Sequence, residues 1–362
     1  MKPIKIIISG GGTGGHIFPA LAIATGMQKI NPNSSILFVG AKGKMEMEKV
    51  PKAGFFIKGL WISGFQRSLS LENLLFPLKL VLSIIQAFRI LKKFKPNIVV
   101  GTGGFASGPL LQVAQWLGLP TLIQEQNSYP GFTNRVLSKN ANRICVAYGG
   151  MEKFFPISKI LLTGNPVRSN LVNSISSEQS KLYFDLDPKI KTLVVLGGSL
   201  GSKRINELIK LNLDLFKKLN LQVLWQCGQS YYEKYNKSAS NKVVIRPFIS
   251  KMEQLYAASD FIISRAGAGS ISELSCVGKP ILLIPSPNVT ANHQYRNAQA
   301  LVKESAALMV EEKDLEEKFE RYLSLLVRDK SIQKELVKNL RRLSRPNATQ
   351  KIISEIIELN DN

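Results

Sequence analysis

The sequence is poor in the side chains that build metal sites and disulfide frameworks. Its 362 residues include three cysteines and two histidines. Cys145, Cys227 and Cys276 lie far apart and are odd in number, so they form neither a zinc-binding spacing nor a disulfide pattern. Such sparse use of cysteine is typical of a protein from a reducing compartment.

Long hydrophobic runs are also missing. A membrane-spanning helix needs about 20 mainly apolar residues, whereas the longest apolar stretch, residues 74–91, is interrupted by Lys79, Gln86 and Arg89. Near the N-terminus, glycines stand where the hydrophobic region of a signal peptide would continue. We therefore expect neither a secretory leader nor a transmembrane helix.

Acidic residues are scarce relative to basic ones. The chain has 26 Asp and Glu against 48 Lys and Arg, which gives a formal net charge of +22. This excess favours polyanionic partners such as nucleic acid, an anionic membrane or phosphorylated ligands, although lysine also solvates surfaces without a specific target. The sequence has no zinc-finger spacing, RNA-recognition aromatic signature or isolated basic helix, so we expect no nucleic-acid partner. A basic nucleotide-binding or nucleic-acid-binding module stays as one alternative.

The sequence is rich in glycine turns that follow apolar strands. Residues 5–8 form a short apolar run, the glycines of GGGTGG follow at 10–15, and His16 opens a helical pattern. A strand, a glycine turn and a helix start together make a phosphate cradle, because glycine permits a positive φ and the helix start offers unpaired N–H groups. Three similar turns occur at 101–109, 197–202 and 265–270.

Strands that alternate with helices predict an α/β fold with parallel, doubly wound sheets. Because the pattern restarts near residue 192, we predict two Rossmann-like domains at 1–164 and 165–345, with a last helix at about 346–362 that packs back on the first. The polar stretch 169–188 would contain the connection, and 62–70 would be a loop. Ligands of such sheets bind beyond the carboxyl ends of the strands, where the glycine turns and Glu125–Asn127 would lie.

A dinucleotide site is a second interpretation of the first turn, because the turn fits the G-x-G-x-x-G spacing. A nicotinamide site needs an acidic residue at the end of the second strand, and none follows the predicted strand at 36–39. Lys42 and Lys44 would suit a 2′-phosphate, so an NADP site stays possible on charge alone. No companion catalytic set accompanies it.

A few side chains carry candidate chemistry. His16 either packs at the helix start or removes a proton from an attacking hydroxyl. Glu273 either stabilises a helix N-terminus or accepts both hydroxyls of a ribose, and Arg168 and Ser199 are suited to phosphate. The motif Asp185–Asp187 resembles a metal-binding D-x-D, but its place in a polar turn before a strand favours a surface turn, so no metal is predicted.

Seven stretches, taken together and in order, resemble the MurG-type N-acetylglucosaminyltransferases of bacterial peptidoglycan synthesis. They are GGGTGGHIFPALAIA (10–24), GTGGFASGP (101–109), EQN (125–127), GNPVR (164–168), GGSLGSKRIN (197–206), SRAGAGSISEL (264–274) and HQYRNA (293–298). The resemblance extends over nearly the whole chain. One departure is the segment 286–294, which carries less charge than the family often shows there.

The resemblance implies the two-domain GT-B fold, with the active site in the cleft between the domains. It implies inverting transfer of N-acetylglucosamine from UDP-N-acetylglucosamine to the C4 hydroxyl of the muramyl sugar of lipid I, giving lipid II and UDP without a cofactor or bound metal. The first domain would take the acceptor and face the membrane, and the second would bind the UDP-sugar. The enzyme would be peripheral, at the cytoplasmic face of the inner membrane. The alternative is another GT-B enzyme that uses UDP-N-acetylglucosamine, such as a 2-epimerase or a different glycolipid synthase.

The resemblance also implies roles for individual residues. His16 is the candidate base and Glu125 the reserve, Ile249 would hold the uracil through its backbone, and Glu273 would hold the ribose. The remaining substrate-binding positions would be Thr13, Gly14, Gly15 and Asn127 in the first domain, and Arg168, Ser199, Ala268, Gly269, Ser270, Ile271, Ser272 and Gln294 in the second.

A lipid acceptor would give the apolar helix predicted at 74–94 a purpose. Apolar insertion combined with basic charge is the usual pair of signals for peripheral binding to an anionic membrane. The predicted patch consists of Leu74, Leu75, Phe76, Leu78, Leu82 and Ile85, surrounded by Lys79, Arg89, Lys92 and Lys93. The alternative is that this helix only packs on the sheet.

Overall fold

The computed structural model describes residues 2–64, 74–168, 171 and 175–361. The loop predicted at 62–70 and the connection predicted at 169–188 lie partly outside these residues. The chain divides into two compact units, which we call unit 1 (Met1–Val167 with Pro346–Asn362) and unit 2 (Arg168–Arg345).

The described part of unit 1 contains one parallel sheet in the order β3-β2-β1-β4-β5-β6-β7. Its strands are β1 (Lys5–Gly10), β2 (Ser35–Ala41), β3 (Phe56–Leu60), β4 (Ile98–Gly103), β5 (Thr121–Glu125), β6 (Arg143–Val146) and β7 (Ile160–Leu162). The direction of winding reverses between β1 and β4. In open α/β sheets this switch point is where a crevice for ligands forms.

The described part of unit 2 repeats this arrangement with a parallel sheet in the order β10-β9-β8-β11-β12-β13. Its strands are β8 (Lys191–Leu196), β9 (Leu221–Gln226), β10 (Val243–Arg246), β11 (Phe261–Ser264), β12 (Ile281–Leu283) and β13 (Leu308–Met309). Here the switch point lies between β8 and β11. The prediction of two doubly wound α/β domains is confirmed.

Helices alternate with these strands. In unit 1 they are α1 (Gly14–Ile30), α2 (Glu46–Lys52), α3 (Phe76–Phe94), α4 (Ser107–Trp116) and α5 (Phe132–Leu137). In unit 2 they are α6 (Ser177–Tyr183), α7 (Lys203–Leu211), α8 (Leu213–Lys218), α9 (Tyr232–Tyr235), α10 (Met252–Ala258), α11 (Ala268–Val277), α12 (His293–Lys303), α13 (Leu315–Arg328) and α14 (Lys330–Leu343). The last helix, α15 (Ala348–Asp361), belongs to unit 1. No helix among the described residues is long and apolar enough to cross a membrane.

The sheet of unit 1 separates two hydrophobic cores. Ile6 and Ile8 of β1 point into one core with residues of α1 and α15, while Ile7 points into the other with residues of α3 and α4. Both faces of the strands are therefore covered, which explains why their sequences are continuously apolar instead of alternating.

The C-terminal helix α15 is fixed to unit 1 by close packing and by charge. A Cβ atom on Gly26 of α1 would lie 2.7 Å from the Ile353 side chain, so glycine lets the two helices approach closely. Arg143 at the start of β6 forms ion pairs with Glu355 at 3.2 Å and Glu358 at 3.3 Å.

Several elements differ from the sequence-based predictions. The sequence pattern of residues 204–219 predicts one helix, but the structure has two, α7 and α8, which meet at Asn212. Its side chain donates a hydrogen bond back to the Leu208 carbonyl at 2.8 Å, and such local bonds compete with a continuous helix. Helix α11 begins at Ala268 and not at Ile271, so Glu273 lies in its second turn and not in its first. Helix α6 and strand β13 were not predicted.

Candidate active site

The glycine turns after β1 and β4 pack against each other, backbone to backbone, at the switch point of unit 1. A Cβ atom on Gly10 would lie 1.8 Å from the Thr102 hydroxyl, and one on Gly104 would lie 2.3 Å from the Gly11 carbonyl oxygen. Gly104 also has a φ of +85°, which side chains rarely adopt. The two turns thus depend on glycine to bring their backbones together.

A buried acid that sequence reasoning missed contacts the first turn. Glu46, the first residue of α2, accepts hydrogen bonds from the N–H groups of Gly12 at 3.1 Å and Ala41 at 3.0 Å. A Cβ atom on Gly11 would lie 2.1 Å from its carboxylate. Because a fully buried carboxylate already takes one amide of the turn and adds negative charge, the turn is poorly suited to a dinucleotide pyrophosphate.

His16 lies in the first turn of α1, against the turn that follows β4. Its Nδ1 atom is 2.9 Å from the Thr102 carbonyl oxygen and 3.0 Å from Gln126 Oε1. The Thr102 hydroxyl donates to the His16 carbonyl at 2.8 Å. Gly103, with a φ of +97°, leaves room for the ring, since a Cβ there would lie 2.8 Å from Nδ1. The ring is half-buried and held from several sides.

The start of α1 is open to an anion. Thr13 precedes the helix in an extended conformation, and its hydroxyl makes no capping hydrogen bond. The first turn, which includes Gly14 and Gly15, carries no acidic residue. Unpaired N–H groups and the partial positive charge of a helix N-terminus attract phosphates and carboxylates.

Glu125 ends β5 and is 1% exposed. Its Oε1 atom accepts the backbone and side-chain N–H groups of Asn127 at 3.0 and 3.2 Å. Its Oε2 atom accepts the Gly131 N–H at 3.1 Å and the Asn134 amide at 2.8 Å. These bonds let the carboxylate stabilise the loop 127–131. They also occupy both of its oxygens, which leaves neither well placed to accept a proton from a substrate.

The first glycine turn of unit 2 connects β8 to α7. Gly201, with a φ of +77°, is packed so closely that a Cβ atom would lie 2.0 Å from the Cys227 carbonyl oxygen. Ser202 caps α7 and also accepts a hydrogen bond from Arg265 at 2.6 Å. Arg265 donates to the Ile284 carbonyl at 3.0 Å and pairs with Glu312. Ser199 lies exposed at the tip of the turn.

The second turn of unit 2 leads into α11, whose N-terminus consists of small residues. Gly267 precedes the helix in an extended conformation, and no acidic residue occupies the first turn, which begins with Ala268, Gly269 and Ser270. Gly269 is exposed, with no atom within 4 Å of a Cβ built on it. Ala268 and Ile271 are buried, whereas Gly269 is exposed and no side chain caps the helix, so N–H groups at its start remain available to a phosphate.

Glu273 in the second turn of α11 is held by two partners. Its Oε2 atom accepts the Tyr256 hydroxyl at 3.0 Å, and Arg168 Nε lies 3.4 Å from Oε1. Its side chain is 15% exposed. Burial raises the pKa of this carboxyl group, and the nearby Arg168 and the hydrogen bond from Tyr256 offset the rise only in part. Sequence reasoning missed Tyr256, which lies on α10.

Three further donor-site candidates lie in unit 2. Ile249 comes after β10 with its side chain buried, which holds its backbone in place. Gln294 on α12 accepts the N–H groups of Ala266 at 3.3 Å and Ser286 at 2.9 Å through Oε1. Gln294 thereby joins the loops after β11 and β12. Ser272 is half-buried on α11, where its hydroxyl donates to the Ala268 carbonyl at 3.0 Å.

The D-x-D motif has local structural roles. Asp187 accepts the Lys189 N–H at 2.8 Å, which closes a turn, and Asp185 pairs with Arg246 at 3.0 Å. Among the described residues, no cluster of three or more His, Cys, Asp or Glu side chains is arranged to hold a metal ion.

Comparison with known proteins gives matches in both units. The Glycosyltransferase family 28 N-terminal domain matches residues 6–146, and the Glycosyltransferase family 28 C-terminal domain matches residues 192–352. Two curated relatives are each named UDP-N-acetylglucosamine–N-acetylmuramyl-(pentapeptide) pyrophosphoryl-undecaprenol N-acetylglucosamine transferase. The one from Flavobacterium psychrophilum is 52% identical over 99% of this chain and 98% of its own, and the one from Christiangramia forsetii is 53% identical over the same shares.

The crystal structure of MurG from Acinetobacter baumannii is similar at 29% identity with a TM-score of 0.80, covering 98% of this chain and all of its own. This likeness confirms the predicted GT-B fold class. The two family models match residues in both doubly wound units, and a curated relative is 52% identical over 99% of the chain. The chain therefore belongs to glycosyltransferase family 28.

Proposed function

We propose that this protein is an inverting hexosyltransferase that moves N-acetylglucosamine from UDP-N-acetylglucosamine to the C4 hydroxyl of the muramyl sugar of lipid I. The products are lipid II and UDP, so the reaction belongs to peptidoglycan synthesis. The observation that carries the proposal is identity above 50% over 99% of the chain with relatives named for this reaction.

Unit 2 is proposed to bind the donor. The open N-terminus of α11 supports a role in holding the pyrophosphate, because main-chain N–H groups and the helix dipole favour negative charge. Glu273 would accept the two ribose hydroxyls, and Ile249 would contact the uracil through its backbone. Arg168, which already lies 3.4 Å from Glu273, would reach the ribose or the phosphates. Gln294 would hold the loops after β11 and β12 together beside this site, and Ser199 would contact a phosphate.

Unit 1 is proposed to supply the proton acceptor. His16 is favoured over Glu125, because both oxygens of Glu125 are engaged by four hydrogen bonds. The base takes the proton of the acceptor hydroxyl as the new bond forms at the anomeric carbon and the bond to UDP breaks. A positioned base contributes about 10²–10⁴-fold to the rate. Thr13, Gly14, Gly15 and Asn127 would position the acceptor around it.

The departing UDP gains negative charge, which needs stabilisation in the transition state. Main-chain donors aimed at the position of this charge stabilise it without reorganisation. The start of α11 is suited to this task, and Arg168, whose side chain is 55% exposed, adds a positive charge.

Helix α3 is proposed to bind an anionic membrane surface. An apolar stripe with four- and three-residue spacing runs along its exposed face and into the preceding residues, with exposed fractions between 41% and 76%. Its members are Leu74, Leu78, Val81, Ile85 and Phe88, with Leu75 beside them. The helix carries four basic residues and no acidic one. An apolar stripe flanked by basic charge favours insertion among anionic lipid headgroups.

The stripe differs in part from the predicted patch. Phe76 packs against the core of unit 1, and Leu82 is half-buried, so neither is fully presented to a lipid. Val81 and Phe88 are exposed instead, and Lys92 lies over the Phe88 ring at 5.6 Å. The predicted patch is wrong at Phe76 and Leu82 because positions 76, 80 and 84 of the helix face the core of unit 1. On this basis we propose a peripheral enzyme at the cytoplasmic face of the inner membrane.

The membrane proposal is tested with vesicles that contain an anionic lipid. Replacing Lys92 and Lys93 by glutamate is expected to reduce binding at least about thirtyfold, because each basic residue near such a surface contributes about 1 kcal/mol. The matched control replaces Lys334 and Lys338 of α14 by glutamate, which changes the net charge equally in unit 2. Equal losses in both variants would indicate a general effect of charge and no patch.

The activity itself is tested by product analysis. The purified enzyme is incubated with UDP-N-acetylglucosamine with and without a lipid I analogue. We expect UDP release and a disaccharide-lipid product only when the acceptor is present. An epimerised sugar nucleotide formed without acceptor would favour the 2-epimerase alternative. A salt-dependent mobility shift of nucleic acid at physiological ionic strength would instead support the nucleic-acid-binding module.

A further inference from the structure

We infer that Gln126 is a positioning residue that holds His16 in one tautomer, with Nδ1 protonated and Nε2 as the atom that accepts the proton. The inference rests on the proposed role of His16 as the base. It assigns a task to a side chain that touches the ring and would not touch the substrate.

The orientation of the Gln126 amide follows from its surroundings. Its Nε2 atom lies 2.7 Å from the Thr102 carbonyl oxygen and 3.1 Å from the Gln124 carbonyl oxygen, and it also contacts Gln124 Oε1. All three are acceptors, so the NH₂ end of the amide must face them. A flipped amide would place oxygen against three oxygens. The Oε1 end of Gln126 therefore faces His16.

Hydrogen bonds among the side-chain amides of Asn165, Gln124 and Gln126 support this orientation. The Nδ2 atom of Asn165 donates to the backbone carbonyl of Gln126 at 3.0 Å, and the Oδ1 atom of Asn165 therefore faces Gln124. Gln124 Nε2 donates to that Oδ1 at 2.8 Å, so Gln124 presents its own Oε1 to Gln126. The three side chains are at most 2% exposed. Because backbone carbonyls anchor the network at each end and all its amides are buried, reversing one amide would leave polar groups unsatisfied.

The tautomer of His16 follows from the same geometry. The two atoms within hydrogen-bond distance of Nδ1 are the Thr102 carbonyl oxygen and Gln126 Oε1, and both can only accept. Nδ1 must carry the hydrogen, so a neutral ring has its lone pair on Nε2. In this tautomer Nε2 is the ring atom whose lone pair is available to accept a proton.

The network also serves the reaction as it proceeds. Nε2 takes the proton of the acceptor hydroxyl while its oxygen bonds to the anomeric carbon and the bond to UDP breaks. The ring becomes a cation, and the hydrogen bond that its single Nδ1–H shares between the two acceptors becomes charge-assisted and stronger. The proton then leaves Nε2 to solvent, which restores the neutral ring.

The direct test is a nuclear magnetic resonance measurement of the histidine tautomer. The chain contains only two histidines, so ¹⁵N-labelled histidine gives two ring systems, and the variant His293→Asn identifies His16. Couplings from the carbon-bound ring protons distinguish a protonated Nδ1 from a protonated Nε2. We expect the Nδ1–H form at neutral pH. A ring protonated on Nε2, or on both nitrogens, would overturn the inference.

The role of Gln126 is tested by a matched pair of substitutions. Gln126→Met removes the acceptor at His16 with little change in length, and Gln124→Met removes an amide from the same network without touching the ring. We expect Gln126→Met to lower kcat about tenfold, which corresponds to the loss of one hydrogen bond, with an unchanged KM for UDP-N-acetylglucosamine. The Nδ1–H form should lose part of its excess over the Nε2–H form, because the Thr102 carbonyl is then the one acceptor left of the two. Gln124→Met should keep the Nδ1–H form.

The outcomes separate this inference from the proposed function. If the two variants had the same tautomer and the same kcat, Gln126 would have no specific role. If the wild-type enzyme held His16 as the Nδ1–H form, and Gln126→Met changed it, but no sugar transfer occurred, the positioning role would stand and the proposed function would fail.

Discussion

Tyr256 offers a sharp test of the proposal that Glu273 of unit 2 binds a ribose. Its hydroxyl donates to Glu273 Oε2 at 3.0 Å, and both side chains lie largely out of solvent. Tyr256→Phe removes this donor without changing the shape of the ring. A hydrogen bond to a charged group contributes about 1.5–3 kcal/mol. The bond positions and stabilises the carboxylate that is proposed to accept the ribose hydroxyls, and Arg168 still faces the other oxygen. We therefore expect its loss to weaken UDP binding by at most roughly tenfold.

The same substitution should change the pH dependence of UDP binding. Burial raises the pKa of Glu273, and the hydrogen bond from Tyr256 lowers it. Only the ionised carboxylate accepts from both ribose hydroxyls, so UDP affinity should fall as the pH falls through this raised pKa. Without the Tyr256 hydroxyl the pKa rises further, and affinity should begin to fall at a higher pH.

Isothermal titration calorimetry with UDP over a pH series measures both effects. Tyr183→Phe is the matched control, because Tyr183 is also in unit 2 but exposed. It should bind UDP like the wild-type enzyme at every pH. Wild-type affinity and an unchanged pH profile for Tyr256→Phe would refute the proposed arrangement around Glu273.

Three further perturbations address other parts of the molecule. Replacing Lys92 and Lys93 by glutamate should weaken binding to anionic vesicles in co-sedimentation while turnover of a water-soluble acceptor analogue stays unchanged. Asp260→Asn should destabilise the protein by about 1–3 kcal/mol in urea titration, because it removes the charged partner of the nearly buried Lys181 ammonium and leaves neutral acceptors such as the Ile190 carbonyl. Burial raises the pKa of Asp260, but hydrogen bonds from lysines and a backbone N–H lower it overall, so this stabilisation should be lost as the pH falls below about 3.9 towards the folded value. Gly26→Val should cost about 1–3 kcal/mol by forcing α15 away from α1, visible as a lower melting temperature.

The glycine turns were predictable because their signal is local. A buried apolar strand, a run of glycines and a helical pattern are contiguous in sequence, and the structure has a turn of this kind at each switch point. The start of α11 was harder to predict. Gly267 and Gly269 are weak helix formers, so the sequence pattern predicts a start at Ile271, whereas the helix of the structure begins at Ala268.

The supporting contacts of the candidate site were not predictable, because they join residues that are distant in sequence. Gln126 meets His16 across 110 positions, and Glu46 meets Gly12 across 34. Sequence reasoning looked for an acid directly after β2 and so missed one that returns from α2. The prediction that Phe76 of α3 belongs to the exposed patch was wrong, because tertiary packing decides which side of a helix meets the core.

The central claim is that unit 1 supplies the base and unit 2 holds the donor. Paired measurements of kcat and of UDP dissociation constants for His16→Ala and Glu273→Gln test it most directly. We predict that His16→Ala lowers kcat by about 10²–10⁴-fold with an unchanged dissociation constant, and that Glu273→Gln weakens UDP binding. Loss of UDP binding in His16→Ala with unchanged turnover of bound substrate would contradict the claim.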